Sequence, residues 1–305
     1  MQQPAHAYIR DGQINFFRLA HGPLEGAQAA LIGVPWDGGT TFNPGARLAP
    51  WEVRRVSALV QTFHPTRKVD VFNTLRVVDH GNVAVPPFSA ELARGAIEAE
   101  IGAVVGAGVV PFVVGGDHSI TYPILRAVAR AHGPVALVHV DAHLDTSGPE
   151  VWGDAFHHGT PIRHAIDEDL VARNALHQIG IRATWGSPEE GALVAEHGGR
   201  LYDMDTVHDR GIGEVARQIR EAVGDRPTYI TFDVDGVDPA FAPGTGTPVP
   251  GGLSSREALR LVRSLAGVKL VGMDVVEVCP AHDVSDVTAH LAAHLLYEGL
   301  ALLAT

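Results

Sequence analysis

The sequence predicts an α/β fold built on a parallel sheet, and three observations carry that prediction. Short apolar runs rich in Val and Ile recur along the chain, helical patterns lie between them, and most of the runs end in Gly, Asp or His. Strands buried on both faces read as near-continuous apolar runs, and strands alternating with helices imply right-handed crossovers in a parallel sheet. In chain order the runs are AALIGV (29–34), VDVFNTLRVVD (69–79), VVPFVV (109–114), VALVHV (135–140), LHQIGI (176–181), RLYDM (200–204), TYITFDV (228–234) and KLVGMDVVE (269–277). Between them, Ser89 opens a helical stretch, Ser254 and Glu257 form a capping box before ALRLVRSL, and the helical pattern 286–304 closes the chain. No linker, repeat or low-complexity tract interrupts the alternation, so a single domain over 1–305 is expected, with 1–28 as an N-terminal extension packing on it.

Composition narrows the function classes. Of 305 residues, 46% are apolar, enough for a sizeable core. Lys and Arg number 23 against 35 Asp and Glu, a net charge of −12, and no basic run is long enough to track phosphates. Nucleic acid and anionic membranes are therefore excluded as expected partners. The first residues lack a basic segment followed by an apolar one, and no stretch approaches 18 uninterrupted apolar residues. A cytoplasmic protein is expected, and the lone Cys279 cannot form an internal disulfide.

Chemistry concentrates where the strands end. In VDAHLDT, Asp141, His143 and Asp145 follow an apolar run at two-residue spacing. Residues two apart on an extended segment point to the same side, roughly 6–7 Å apart, so the three side chains are expected to converge. Asp233 and Asp235 repeat the spacing after YITF, and VVGGDHS places Asp117 and His118 after a strand and two glycines, at the mouth of a helix. The four carboxylates of Asp141, Asp145, Asp233 and Asp235, packed together with the imidazoles of His118 and His143, repel one another unless cations hold them. Two divalent ions cancel four aspartates and leave room for a bridging hydroxide, and an oxygen-rich set with a minority of imidazole suits Mn²⁺, two per chain. His139 is expected to alternate away from Asp141 and pack beneath the site, while His64, His132, His197 and His290 carry no motif and read as surface or packing residues.

These segments resemble the ureohydrolase family, which contains arginases, agmatinases and guanidino-acid hydrolases. The matching blocks are GVPWDGGTTFNPGARLAP (33–50), GGDHS (115–119), DAHLD (141–145), HGTP (158–161), FDVDGVDPAFAPGTGTP (232–248) and DVVEV (274–278), in order along nearly the whole chain. The resemblance implies an eight-stranded parallel sheet between two helical layers and assembly as a trimer or hexamer. It implies His118, Asp141, Asp145 and Asp233 as metal ligands, adds His143 and Asp235, makes His158 a proton shuttle, and gives Glu277 the grip on a guanidinium. Of the adjacent His157 and His158, the HGTP match selects His158. Thr231 stands where the family commonly has Ser, Gly236 replaces a larger residue, and Cys279 stands where Asn is common. Cys279 reads as a small buried residue, with a redox-sensitive thiol as the sharper alternative.

A mechanism follows from the charges. With the residue roles that the resemblance implies, two divalent ions held by the six ligands would make a nucleophile of water for attack on the guanidinium carbon, Asp145 would take or steer its proton, and His158 could protonate the leaving amine, giving urea and a primary amine. FHHGTP and DPAFAPGTGTP look more like agmatinase and its guanidino-acid relatives than like arginase. The loop acids Glu150, Asp154, Glu189 and Glu190, with Trp152 and Trp185, suit the free ammonium of agmatine. Guanidinobutyrate or guanidinopropionate is the alternative substrate, and a metal-binding pseudoenzyme scaffold is the alternative from another class.

Overall fold

The computed structural model describes residue 2 and residues 14–305. Eight strands form one all-parallel sheet: β1 (Ala29–Gly33), β4 (Val77–Asn82), β5 (Val110–Val114), β6 (Val135–Val140), β7 (Val171–Ile179), β8 (Arg200–Tyr202), β9 (Pro227–Asp233) and β10 (Lys269–Val276). Their spatial order is β4-β1-β5-β10-β9-β6-β7-β8. The near-continuous apolar runs are explained by cores on both faces. Val138, Val140, Ile230, Phe232, Met273 and Val275 meet the helices Ala49–Ser57, Ile212–Val223, Ser255–Ser264 and Val287–Leu303 on one face. Leu137, Leu176, Tyr229 and Val113 meet the helices Ala90–Gly106, Thr121–His132 and Pro161–Asp167 on the other. This is the expected three-layer α/β/α arrangement, and the alternation of strand and helix is what forces it.

The local signals act as read. Ser89 caps the helix Ala90–Gly106 by accepting from Leu92 N–H, and the Ser254–Glu257 capping box is complete. One run needs correction. VDVFNTLRVVD is not one strand: Val69–Asp70 (β3) pairs antiparallel with Phe63–His64 (β2), Val71–Thr74 is a helical turn capped by Asp70, and only β4 joins the main sheet. The Asp70 carboxylate accepts from Asn73 N–H and stops the strand, a local preference that outweighs the apolar pattern. Of the proposed N-terminal extension, residues 1 and 3–13 lie outside the described residues. Further on, Phe16 and Phe17 are buried in the core, and Phe16 N–H donates to Asp79 on β4 at 2.9 Å. Among the described residues no helix is long and apolar enough to cross a membrane.

Candidate metal centre and active site

Four neighbouring strands, β5-β10-β9-β6, carry the site at their carboxyl ends, the place where open parallel sheets gather ligands. After β5 the chain must pass very close to the loop after β1. A Cβ built on Gly116 would lie 1.4 Å from Trp36 O, so only glycine fits there. Asp117 then caps the turn His118–Ile120, which leads into the helix Thr121–His132 and swings the His118 ring over the ends of β6 and β9. After β6 the extended geometry does not continue. The strand stops at Val140, and Asp145 sits at φ +55°, a left-handed conformation unusual for a side-chain-bearing residue. Asp141, His143 and Asp145 do converge, through a turn and not through strand alternation. After β9, Asp235 N–H donates to Asp233, and Asp235 Oδ1 accepts from Ala142 N–H. Gly236, the departure noted in the sequence, lets the Asp141 backbone approach, since a Cβ there would lie 2.9 Å from Asp141 N.

The six proposed ligands form two groups that share Asp141. His118 Nδ1 lies 2.8 Å from Asp145 Oδ2, 3.0 Å from Asp141 Oδ2 and 3.3 Å from Asp233 Oδ2. His143 Nδ1 lies 3.0 Å from Asp235 Oδ2 and 3.4 Å from Asp141 Oδ1. Nitrogen and oxygen ligands about 2.0–2.2 Å from one ion stand roughly 3 Å from each other, the separations seen here. His118 Nδ1 is buried with no hydrogen-bond partner of regular geometry, aimed at three carboxylate oxygens. The donor set therefore fits divalent cations: His118, His139, Asp141 and Asp145 bring ligand atoms within 4.8 Å of one another, as do Asp141, His143 and Asp235, and Asp233 adjoins the first group through His118.

The electrostatics agree. Burial, then Asp235 and Asp141, pushes Asp233 well above the ordinary carboxylate range, and burial with Asp141 pushes Asp235 upward. Asp141 is held well below that range because the imidazoles of His139, His118 and His143 outweigh its burial. Burial also opposes a charge on His143, but Asp235 and Asp141 outweigh it and raise the imidazole to about 12. The cluster holds more negative charge than its own residues neutralise.

Glu277 follows β10 at φ +63°, and its Oε1 accepts from His118 N–H at 2.8 Å and from His158 Nδ1 at 2.9 Å. Burial opposes a charge on His158, yet Glu277 outweighs it and lifts the imidazole to about 9. On its other side His158 Nε2 lies 2.8 Å from the Thr41 hydroxyl, a contact that sequence reasoning missed although it had singled out the 33–50 block. His157 is buried beside the site, and His158 is the one of the pair that lines the cleft.

The cleft has a volume of about 320 Å³. His118, His143, Asp145, Asp233 and Asp235 form its floor, and Ser147, Val151, Trp152, Trp185 and Glu190 line it further along the chain. Asp141 and Glu277 lie outside the lining, behind it. Of the four loop acids, only Glu190 reaches the cleft, where its Oε1 accepts from Ser147 Oγ at 3.1 Å and from Gly186 N–H at 3.2 Å. Among the described residues no Lys or Arg lines it.

Two single-residue expectations are settled by the packing. His139 does not turn away from Asp141: it lies on β6 two residues before Asp141, which follows directly on the strand, so the two share a side, and His139 Nε2 is 2.8 Å from Asp141 Oδ2. It does lie fully buried beneath the site. Cys279 is fully buried, and burial pushes its thiol upward, which supports the packing reading over the redox one.

Comparison with known proteins gives one answer. Residues 27–301 match the arginase family. Proclavaminate amidinohydrolase of Streptomyces clavuligerus is 44% identical over 300 residues, 96% of each chain, and its crystal structure superposes with a TM-score of 0.90 at 43% identity, covering 98% of this chain and 99% of that one. Guanidinopropionase of Pseudomonas aeruginosa is 45% identical over 91% of this chain and 87% of its own. The mitochondrial agmatinase of Gallus gallus is 43% identical over 92% of this chain and 82% of its own. With the fold, the paired ligand groups and the sequence match in agreement, the chain belongs to the arginase family.

Proposed function

We propose that the chain is a binuclear-metal hydrolase that releases urea from a guanidino compound, and that this compound is agmatine, leaving putrescine. The observation that carries the reading is the charge of the cleft: Asp145, Asp233, Asp235 and Glu190 line it, and no Lys or Arg among the described residues does. Such a cleft favours a dication with a guanidinium at one end and an ammonium at the other, and leaves the carboxylate of a guanidino acid unpartnered. Trp152 and Trp185 add aromatic faces for the ammonium.

In this reading His118, Asp141, His143, Asp145, Asp233 and Asp235 hold two ions, and an oxygen-rich set with two imidazoles suits Mn²⁺. When bound, such a pair of ions makes a nucleophile of water near neutral pH and stabilises the charge that develops on the substrate. The protein's own groups do the rest. Glu277 is buried just behind the cleft lining with Oε1 committed to His118 and His158, which leaves Oε2 as the oxygen for the guanidinium. Asp145, at the cleft floor, accepts the proton of the attacking water. His158, kept protonated by Glu277, gives a proton from Nε2 to the leaving amine, with Thr41 orienting the ring. A trimer or hexamer is the assembly we infer for this enzyme, to be read from its mass in solution.

The test is urea release from agmatine, 4-guanidinobutyrate, 3-guanidinopropionate and L-arginine by Mn²⁺-loaded protein. A kcat/KM for agmatine at least about tenfold above the others is expected from one charge-assisted hydrogen bond. Preference for a guanidino acid would overturn the substrate and keep the reaction. No urea from any of the four, with two ions bound, would overturn the agmatine reading and favour a pseudoenzyme.

A further inference from the structure

One pleat beneath the ligands, four fully buried polar side chains form a row across the sheet: Gln178 on β7, His139 on β6, Thr231 on β9 and Asp274 on β10. They stand in register on adjacent strands, Gln178 opposite His139, His139 opposite Thr231, and Thr231 opposite Asp274. Burying such groups is costly unless their hydrogen bonds are made, and here the bonds fix where the protons sit.

The Thr231 hydroxyl donates to Asp274 Oδ1 at 2.6 Å, while the hydroxyls of Tyr229 and Thr121 donate to Oδ2 at 2.9 and 3.0 Å. A hydroxyl has one proton, and a carboxylate only accepts. Having given its proton to Asp274, Thr231 Oγ1 must accept from His118 Nε2, 2.8 Å away. His118 therefore carries a proton on Nε2 and turns Nδ1 toward Asp141, Asp145 and Asp233. On the other half of the row, Gln178 Nε2 donates to the Leu144 carbonyl at 2.7 Å, which fixes the amide orientation, and to His139 Nδ1 at 2.8 Å. His139 is left with its proton on Nε2, donated to Asp141 Oδ2 at 2.8 Å.

We propose that this row is the positioning layer of the metal centre: Asp274 through Thr231 fixes the Nε2 proton and ring orientation of His118, and Gln178 through His139 holds the Asp141 carboxylate in place, before any ion arrives. The inference rests on the metal reading above. His139 lies within the first group of candidate ligand atoms, but its Nδ1 is taken by Gln178 and its Nε2 by Asp141, so we infer that it positions a ligand and is not one itself. The substitution of Thr for the family's common Ser keeps the hydroxyl that the relay needs.

The experiment titrates Mn²⁺ into metal-free wild type, Thr231→Val and Thr231→Ser by calorimetry, with circular dichroism to verify folding. Loss of an outer hydrogen bond to a ligand typically weakens metal affinity by about 10–100-fold, and that loss is expected for one of the two ions in Thr231→Val, with Thr231→Ser within about threefold of wild type. Wild-type affinity in a folded Thr231→Val would overturn the inference and leave the metal reading intact. No uptake by wild type would overturn both. Should Thr231→Val fail to fold, the ring nitrogens of His118 in Zn²⁺-loaded wild type decide the matter by ¹⁵N NMR: a proton on Nε2 is expected, and one on Nδ1 would overturn the inference.

Discussion

Two groups of buried charge in this protein are handled in opposite ways. At the β4 edge, Arg54 grips Asp79 with two bonds of 2.9 and 3.0 Å, donates to Asn82, and lies over the Phe16 ring, while Phe16 N–H completes the shell of Asp79. That pair is neutralised from within. At the sheet centre, the ion-pair partners of Asp141, Asp145, Asp233 and Asp235 among the described residues are imidazoles, and burial together with the neighbouring carboxylates drives two of them upward. The difference separates charge that holds the fold from charge that is kept for a ligand.

Removing a member from each group should break them in different ways. Asp141→Ala deletes the carboxylate common to both ligand groups. Metal analysis after gel filtration should show fewer than one ion per chain in place of two, and kcat should fall by more than the roughly 100-fold expected of an outer-shell change. Full activity would sink the ligand assignment. Arg54→Ala leaves Asp79 buried and unpaired, at a cost of about 3–5 kcal/mol in denaturant unfolding, with ion uptake unchanged in the folded fraction.

Smaller effects sharpen the contrast. Mn²⁺ at 100 times its dissociation constant should stabilise the wild type by about 2.7 kcal/mol and Asp141→Ala hardly at all, read as a shift in Tm. Glu190→Gln should lower kcat/KM for agmatine by about tenfold and leave that for guanidino acids unchanged or improved. An equal loss on both substrates would remove Glu190 from recognition. The smallest effect is in the pH profile. His158 rises from 6.5 to about 9, so the stability it gains from Glu277 is complete below about 6.5 and is lost as pH climbs through 9. The proton it donates disappears over the same range, so kcat should decline above about pH 9, and His158→Asn should abolish that alkaline limb.

The clustering of the candidate ligands was legible in the sequence because each lies within five residues of a strand end, although at Asp141, His143 and Asp145 a turn, and not the two-residue spacing, brings the side chains together. So were the helix caps at Ser89 and Ser254, which are local hydrogen bonds. What escaped depends on contacts between distant segments. The row Gln178–His139–Thr231–Asp274 exists only through strand register, and the grip of Thr41 on His158 spans 117 residues. The split in VDVFNTLRVVD was obscured because Asp70 and Asn73 look like interruptions in an apolar run when they are in fact a cap.

The position of β10 has a consequence for how the protein is made. The last strand in sequence sits in the middle of the sheet, between β5 and β9. Until residues 269–276 leave the ribosome, the nascent chain can pair no more than two separate half-sheets, each ending in an open edge of the kind that invites misassembly. Glu277 arrives directly after that strand, so its bonds to His118 and His158 beside the cleft form only with the final insertion.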